Sequence, residues 1–429
     1  MIKEFSLLQD CRERMRLLFP LGESIWYQWI EDEKMLDSTP ERVVELYELA
    51  ILDYLSPKVW FSYCEVAAEK FSPEDRRKIF DRALNVVGSH FKAGLNFWKF
   101  YEMCEKSDIQ SMTDSKEIIE QSKRLINLLE RQLTYPLEGV VNDHEELQEF
   151  FEYTLEDIDE SLKQEVKVEL EKLSNIAPVD VKEYKEFEDR IEKEKDSIKK
   201  CEIYREYLEF VIKKKNISLS QQVCLYERVI SEYYNDASIW LEYLTFCDSK
   251  MALADILIPI YKRAIRNVPW SSDIWTRYLL AQERFLEFES DSFEDNFVKI
   301  KKIYEEAIQN QFSTMEDYKN LTMSYLNYFR RVFTKFDFWK DSSKHEMIRK
   351  QIQEIIDNFL NSYGEENCYE FRKFQAKIEA KYLNFKDAKK IFENLSSDAN
   401  FKHYVSLNFY FIFISVFLLN YYFLGKFLD

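Results

Sequence analysis

Tryptophans recur along this chain with a second aromatic three positions later: "SIWYQWIEDE" from residue 24, "KVWFSYCEVA" from 58, "NFWKFYEMCE" from 96, "SIWLEYLTFC" from 238 and "DIWTRYLLAQ" from 273. Positions i, i+3 and i+7 share one stripe of an α-helix, so Trp26, Trp29 and Glu33 face the same neighbour. Each phrase is followed by a second apolar stripe. "ELYELAI" carries Tyr47 and Ala50, "KIFDRAL" Phe80 and Ala83, "PIYKRAI" Tyr261 and Ala264, and "KIYEEAI" Tyr304 and Ala307. The unit is therefore W-x-x-[YW] on one helix and [YF]-x-x-A-[IL] on the next. The small Ala lets the indole of the first helix come close to the second backbone.

One such hairpin cannot bury both stripes, so consecutive hairpins must stack on a shared core. The Trp-to-Trp intervals of 34 (26 to 60), 38 (60 to 98) and 35 (240 to 275) fall in the range of TPR-like units. The pattern predicts an all-α, right-handed α-solenoid of about nine units. Its expected core is Trp26, Trp29, Ala50, Trp60, Tyr63, Ala83, Trp98, Tyr101, Trp240, Tyr243, Ala264, Trp275, Tyr278 and Ala307.

Punctuation agrees with this reading. Ser72-Pro73-Glu74-Asp75 sets a proline in the first turn of a helix with acids at its positive end. Pro136 and Pro269 follow helix ends, where proline cannot continue the ladder. Weaker units fill the gaps. Trp98 and Tyr101 pair with "LLERQL", where Gln132 takes the Ala place, and Tyr204 and Tyr207 pair with "LYERVI", where Val229 does. Thr322 stands at a Trp position ahead of Tyr325, and "FRKFQAKIEAKY" with "DAKKIFENL" reads as a last, eroded unit. Between residues 137 and 200 the period blurs; "EYKEFEDRIEKEKDSIKK" reads as one charged helix, a solvated arm or a linking repeat. The expected division is a helical lead-in at 1–18, N-terminal repeats at 19–215, C-terminal repeats at 216–404 and a hydrophobic tail at 405–429.

Composition narrows the chemistry. Six glycines and eight prolines in 429 residues are too few for a turn-rich β protein or for Gly-rich phosphate loops. A formal charge of −18 argues against a nonspecific nucleic-acid binder and favours basic protein partners. The best basic strips, "KKKN" at 213–216 and Arg330–Arg331, read as solvated helix ends. Seven scattered cysteines (11, 64, 104, 201, 224, 247, 368), none in C-x-x-C spacing and with no signal peptide ahead of them, read as free thiols in a reducing compartment. The sequons at Asn216, Asn320 and Asn394 are then unused.

Four separated histidines (90, 144, 345, 403) and the absence of nucleotide-loop or nucleophile-elbow motifs predict no metal, no cofactor and no catalytic residues. Glu33 and Glu105 are expected to hydrogen-bond between helices rather than to act as catalytic carboxylates.

Tryptophan and tyrosine three apart, followed by [YF]-E-R-A-L, resembles the half-a-TPR (HAT) signature of RNA-processing scaffolds. "FPLGESIWYQWIEDE", "VVELYELAILDYLSPKVWFSYCE", "IFDRALNVVGSHFKAGLNFWKFYE", "LLERQLTYPLE" and "YKRAIRNVPWSSDIWTRYLLAQER" narrow it to a resemblance with the N-terminal half of the U4/U6 snRNP recycling factors, over about residues 15 to 400. The resemblance implies a nuclear, non-enzymatic scaffold in pre-mRNA splicing, whose HAT array docks snRNP proteins and ubiquitin-specific proteases. In that family U6 snRNA is bound through RNA-recognition motifs, and the array dimerises through its last repeats. Neither part has a counterpart here, so RNA binding and homodimerisation are not carried over. The alternatives are another HAT scaffold, of mRNA 3′-end cleavage or Crooked-neck-like, or a tail-anchored membrane adaptor.

The adaptor alternative rests on the tail, where Leu407 to Leu424 run eighteen residues without a charge, the lower edge of a membrane span. A tail anchor, a buried capping helix and a translated intron are open. The Phe/Tyr/Ile/Leu/Asn mixture, and Val405-Ser406 encodable as GTAAGT, favour the intron.

Overall fold

The computed structural model describes residues 2–397 apart from 37, 157, 287–292, 336–341, 365–368 and 383–384. All regular structure among these is helical. In chain order the helices are α1 (Ile2–Leu18), α2 (Glu23–Met35), α3 (Pro40–Ala50), α4 (Pro57–Lys70), α5 (Pro73–Val86), α6 (Gly94–Ser111), α7 (Ser115–Leu133), α8 (His144–Thr154), α9 (Glu160–Ser174) and α10 (Lys182–Lys193). There follow α11 (Ser197–Lys213), α12 (Leu219–Glu232), α13 (Ala237–Lys250), α14 (Ala254–Asn267), α15 (Ser272–Arg284), α16 (Phe293–Ile308), α17 (Met315–Lys335), α18 (Ser342–Tyr363), α19 (Tyr369–Tyr382) and α20 (Phe385–Ser397). Among the described residues adjacent helices pack as hairpins, namely α2/α3, α4/α5, α6/α7, α8/α9, α11/α12, α15/α16, α17/α18 and α19/α20.

Local chemistry explains where these helices start. Three begin with proline directly after a hydroxyl cap: Thr39 accepts from the Arg42 N–H, Ser56 from Val59 and Ser72 from Asp75. Each hydroxyl satisfies a donor left open by the first turn, and the proline has none to satisfy. Ser218 and Gln221 form a reciprocal capping box on α12. The helices α7 and α14 stop before Pro136 and Pro269.

The chain divides into two compact units, Met1–Phe246 and Cys247–Asp429. In the first, one apolar core runs from Leu21 to Leu173 and includes Cys224. The later helices of this unit also touch its early ones: α12 packs on α5, the Tyr54 and Tyr234 rings meet edge-on at 6.0 Å, and Ser231 Oγ donates to the Leu55 carbonyl. In the second unit α15 packs on α16 and α17, and α19 on α20.

The charged segment at 183–200 is not one helix. It breaks at residues 194–196, where Asp196 caps α11 by accepting from the Ile198 and Lys199 N–H groups. Nor is it a solvated arm, because Tyr184, Glu188 and Ile191 share a buried stripe of α10 that packs against α11. Apart from Glu188, the charges of α10 lie off that stripe. Arg331 is likewise no helix end: it lies within α17 and forms a forked pair with the buried Glu283 of α15. The tail at 405–429, with its three readings, lies outside the described residues. No described helix is long and apolar enough to cross a membrane.

Candidate functional site

All fourteen residues expected in the repeat core, from Trp26 and Trp29 to Trp275, Tyr278 and Ala307, are buried. At the weaker positions Gln132, Val229 and Thr322 are buried as well. Most of the indoles are hydrogen-bonded. Trp98 Nε1 donates to the Gly88 carbonyl at 2.8 Å, Trp240 Nε1 to the Tyr234 carbonyl at 2.8 Å and Trp275 Nε1 to the Pro269 carbonyl at 2.9 Å. In each case the first helix is tied to the loop that leads into it. Trp26 Nε1 instead meets Asp53 Oδ2 at 2.8 Å, which also accepts the Leu21 N–H. Trp60 Nε1 is buried with no hydrogen-bond partner.

The contact that joins one hairpin to the next is aromatic. At five junctions a second-helix ring stacks on the first-helix tyrosine of the next hairpin: Tyr47 on Tyr63 (4.8 Å), Phe80 on Tyr101 (4.8 Å), Tyr226 on Tyr243 (5.1 Å), Tyr261 on Tyr278 (6.0 Å) and Tyr304 on Tyr325 (4.3 Å). The tyrosine hydroxyls reach back to the same helix: Tyr63 Oη donates to Glu48 Oε1 at 2.7 Å and Tyr243 Oη to Glu227 Oε1 at 2.6 Å. Burial first, and then the Glu48 carboxylate, pushes the Tyr63 phenol well above its ordinary pKa, so it stays a donor.

Glu48 is held below the usual carboxylate range chiefly by Arg82, which reaches it with both terminal nitrogens at 2.7 Å. The same guanidinium lies 5.8 Å from the Trp60 ring, and Arg131 lies 5.5 Å from the Trp98 ring. These arginines went unread in the sequence. The signal was there, since an arginine precedes the Ala position in "FDRAL", "LERQL", "YERVI" and "YKRAI".

The acids at the seventh position do bond between helices. Glu33 accepts from Gln9 of α1 at 2.8 Å, and Glu105 accepts from Arg77 of α5 at 2.9 Å. Further buried acids are forked by arginines elsewhere, Glu188 by Arg228 and Glu379 by Arg349.

The side chains capable of chemistry are dispersed. His90 Nδ1 accepts the Ala93 N–H at 3.1 Å, and burial, with Arg228 nearby, lowers its pKa to about 3. Burial raises the Cys64 thiol and pushes Cys224 up to about 11, which leaves little thiolate for nucleophilic attack. Among the described residues no three His, Cys, Asp or Glu side chains are grouped to hold a metal ion. His345 lies beside Phe333, and His403 lies outside the described residues.

What this geometry offers is surface. Hairpins whose polar groups are consumed internally leave faces of charge broken by single apolar side chains, such as Met103, Val141 and Tyr153. Stacked helical hairpins with a Trp/Tyr first helix and an aromatic-Ala second helix define a HAT-repeat protein. Two family models agree: the PRP39 N-terminal HAT repeat matches residues 9–149, and the pre-mRNA-splicing factor Syf1/CNRKL1 N-terminal HAT repeat matches 223–361.

The chain thus carries HAT-type repeats in both matched segments. It is similar to Spliceosome associated factor 3, U4/U6 recycling protein, of Mus musculus, with 28% identity over 418 residues, covering 93% of this chain and 40% of that protein. The Homo sapiens protein of that name is 27% identical over 416 residues, with the same coverage. The Danio rerio protein is 26% identical over 422 residues, covering 92% and 42%. The chain thus spans about two fifths of the length of the curated relatives it matches. The crystal structure of CstF-77 aligns with 89% of this chain and 82% of its own at 13% identity, with a TM-score of 0.40.

Proposed function

We propose that this chain is a non-catalytic HAT scaffold of pre-mRNA splicing, acting in the nucleus by docking proteins during assembly or recycling of U4/U6 particles. The observation that carries the proposal is the match of 93% of the chain to proteins named for U4/U6 recycling. Both family models are also drawn from HAT-repeat proteins, one of them named as a pre-mRNA-splicing factor. The partners are snRNP proteins and ubiquitin-specific proteases. A net charge of −18 favours basic surfaces on them and disfavours direct contact with U6 snRNA phosphates. The fourteen Trp, Tyr and Ala residues are assigned to holding the repeats together, not to touching partners.

Rapid depletion of the protein in its own cells, followed by native gels probed for U4 and U6, tests this. The expected result is a fall in paired U4/U6 and a rise in the free RNAs. Unchanged U4/U6 with defective mRNA 3′ ends would move the chain to the cleavage scaffolds instead.

A further inference from the structure

Three helices of the second unit line a cleft beside the Tyr304–Tyr325 stack. Its walls are Lys301, Tyr304, Glu305 and Ile308 on one face of α16, Tyr325 of α17, and the α18 face that runs from Gln351 and Glu354 through Ile355 and Phe359. The volume is about 280 Å³. That lies just under the ~300–1,000 Å³ usual for small-molecule sites and suits one long side chain.

The cleft contains an unmet polar group. Tyr325 is 1% exposed and its hydroxyl has no hydrogen-bond partner. Its neighbour Tyr304, stacked on it, is satisfied by Thr322 Oγ1 at 3.1 Å. A buried hydroxyl left alone is unfavourable. Burial, the neighbouring tyrosines, and then Glu305 and Glu354 all raise the pKa of the Tyr325 phenol, which stays neutral.

At the rim stand one cation and two anions. Lys301 lies 3.7 Å from Glu305, and Glu354 receives only the neutral Gln351 amide at 3.0 Å. The local balance is negative, over a floor of aromatic and aliphatic carbon.

We propose that this cleft receives one arginine side chain from a basic protein partner. A guanidinium matches the lining: its N–H fork meets the rim carboxylate of Glu354, its plane lies against aromatic rings, and its methylene stem fits among Ile308, Ile355 and Phe359. The inference deepens the reading of an acidic protein-docking scaffold and rests on it.

The test is a titration of the full chain, with labelled isoleucine methyls, against Nα-acetyl-arginine amide, its lysine counterpart and its glutamine counterpart. The arginine compound is expected to shift Ile308 and Ile355 saturably, lysine more weakly and glutamine not at all. Glu305→Gln with Glu354→Gln, both exposed positions safe for folding, is expected to weaken arginine binding about tenfold or more. Silence at both methyls, an equal response to glutamine, or undiminished binding by the double variant overturns the proposal. Co-sedimentation of the parent chain with U4/U6 particles is measured alongside. If the parent does not travel with them, the splicing reading fails; if it travels while the titration is silent, the cleft alone fails.

Discussion

The rings of Tyr47 and Tyr63 lie 4.8 Å apart and within 5° of parallel, which binds α3 of one hairpin to α4 of the next. The same tyrosine reaches Glu48, one residue beyond Tyr47, with its hydroxyl. Tyr63→Phe keeps the stack and loses that bond, and an expected loss of about 0.5–1.5 kcal/mol follows. Tyr63→Ala loses both and opens a cavity, for about 3–5 kcal/mol. Urea unfolding of the two variants measures the difference; equal losses would mean the stack contributes nothing.

The tryptophans are not equivalent. Trp98 donates to the Gly88 carbonyl, while the Trp60 nitrogen is buried without a partner. Trp98→Phe is therefore expected to cost about 1 kcal/mol more than Trp60→Phe, the net worth of one hydrogen bond. The same unfolding experiment on both variants reads this. Asp53→Ala strips the acceptor from both Leu21 N–H and Trp26 Nε1, and is expected to cost about 2–5 kcal/mol.

The sequence showed which residues share a buried face more readily than what they face. The i, i+3 spacing of Trp26/Trp29, Trp60/Tyr63 and Trp240/Tyr243 exposes the first-helix stripe, and the Ser-Pro pairs mark helix starts. Periodicity carries no information on the partner, so the stacking of Tyr226 on Tyr243 across hairpins was not legible. Charge misled the reading of 183–200, because eleven exposed or capping polar residues obscured a stripe of only Tyr184, Glu188 and Ile191. Pairs far apart in sequence, such as Ser231 with the Leu55 carbonyl, leave no local trace. Nor does an unpartnered hydroxyl: Tyr325 reads like any other repeat tyrosine until α18 is placed opposite it.

Arg228 forks the buried Glu188 at 2.6 and 2.8 Å. Arg228→Met leaves that carboxylate unpaired and is expected to destabilise by about 3–5 kcal/mol, whereas adding Glu188→Leu restores most of it. Lys213→Ala, which removes an exposed pair with Glu209, is expected to leave the melting temperature nearly unchanged. Thermal melts of the three proteins check the order. A double variant as unstable as the single would show that packing, not charge, holds α10 to α12.

His90 sets a pH dependence. Its pKa is about 3 in the folded chain against an ordinary 6.5, so between those values the unfolded chain binds a proton that the folded chain does not. Its contribution is complete above pH 6.5 and is lost as pH falls towards 3. Between pH 7.5 and 5.5, above most carboxylates, this histidine is expected to remove about 1 kcal/mol. His90→Gln flattens that part of the stability curve, and an unchanged slope would show that the imidazole is free to charge.

The central claim is that a HAT-repeat chain of this sequence serves as a protein-docking scaffold in splicing. Its most direct test is a glycerol gradient of nuclear extract, with the endogenous protein followed by antibody and the RNAs by hybridisation. The account predicts that the protein sediments with U4/U6 particles, that it remains there after RNase digestion because proteins hold it, and that high salt releases it. Sedimentation as a free chain, or with membranes or cleavage complexes, would contradict it.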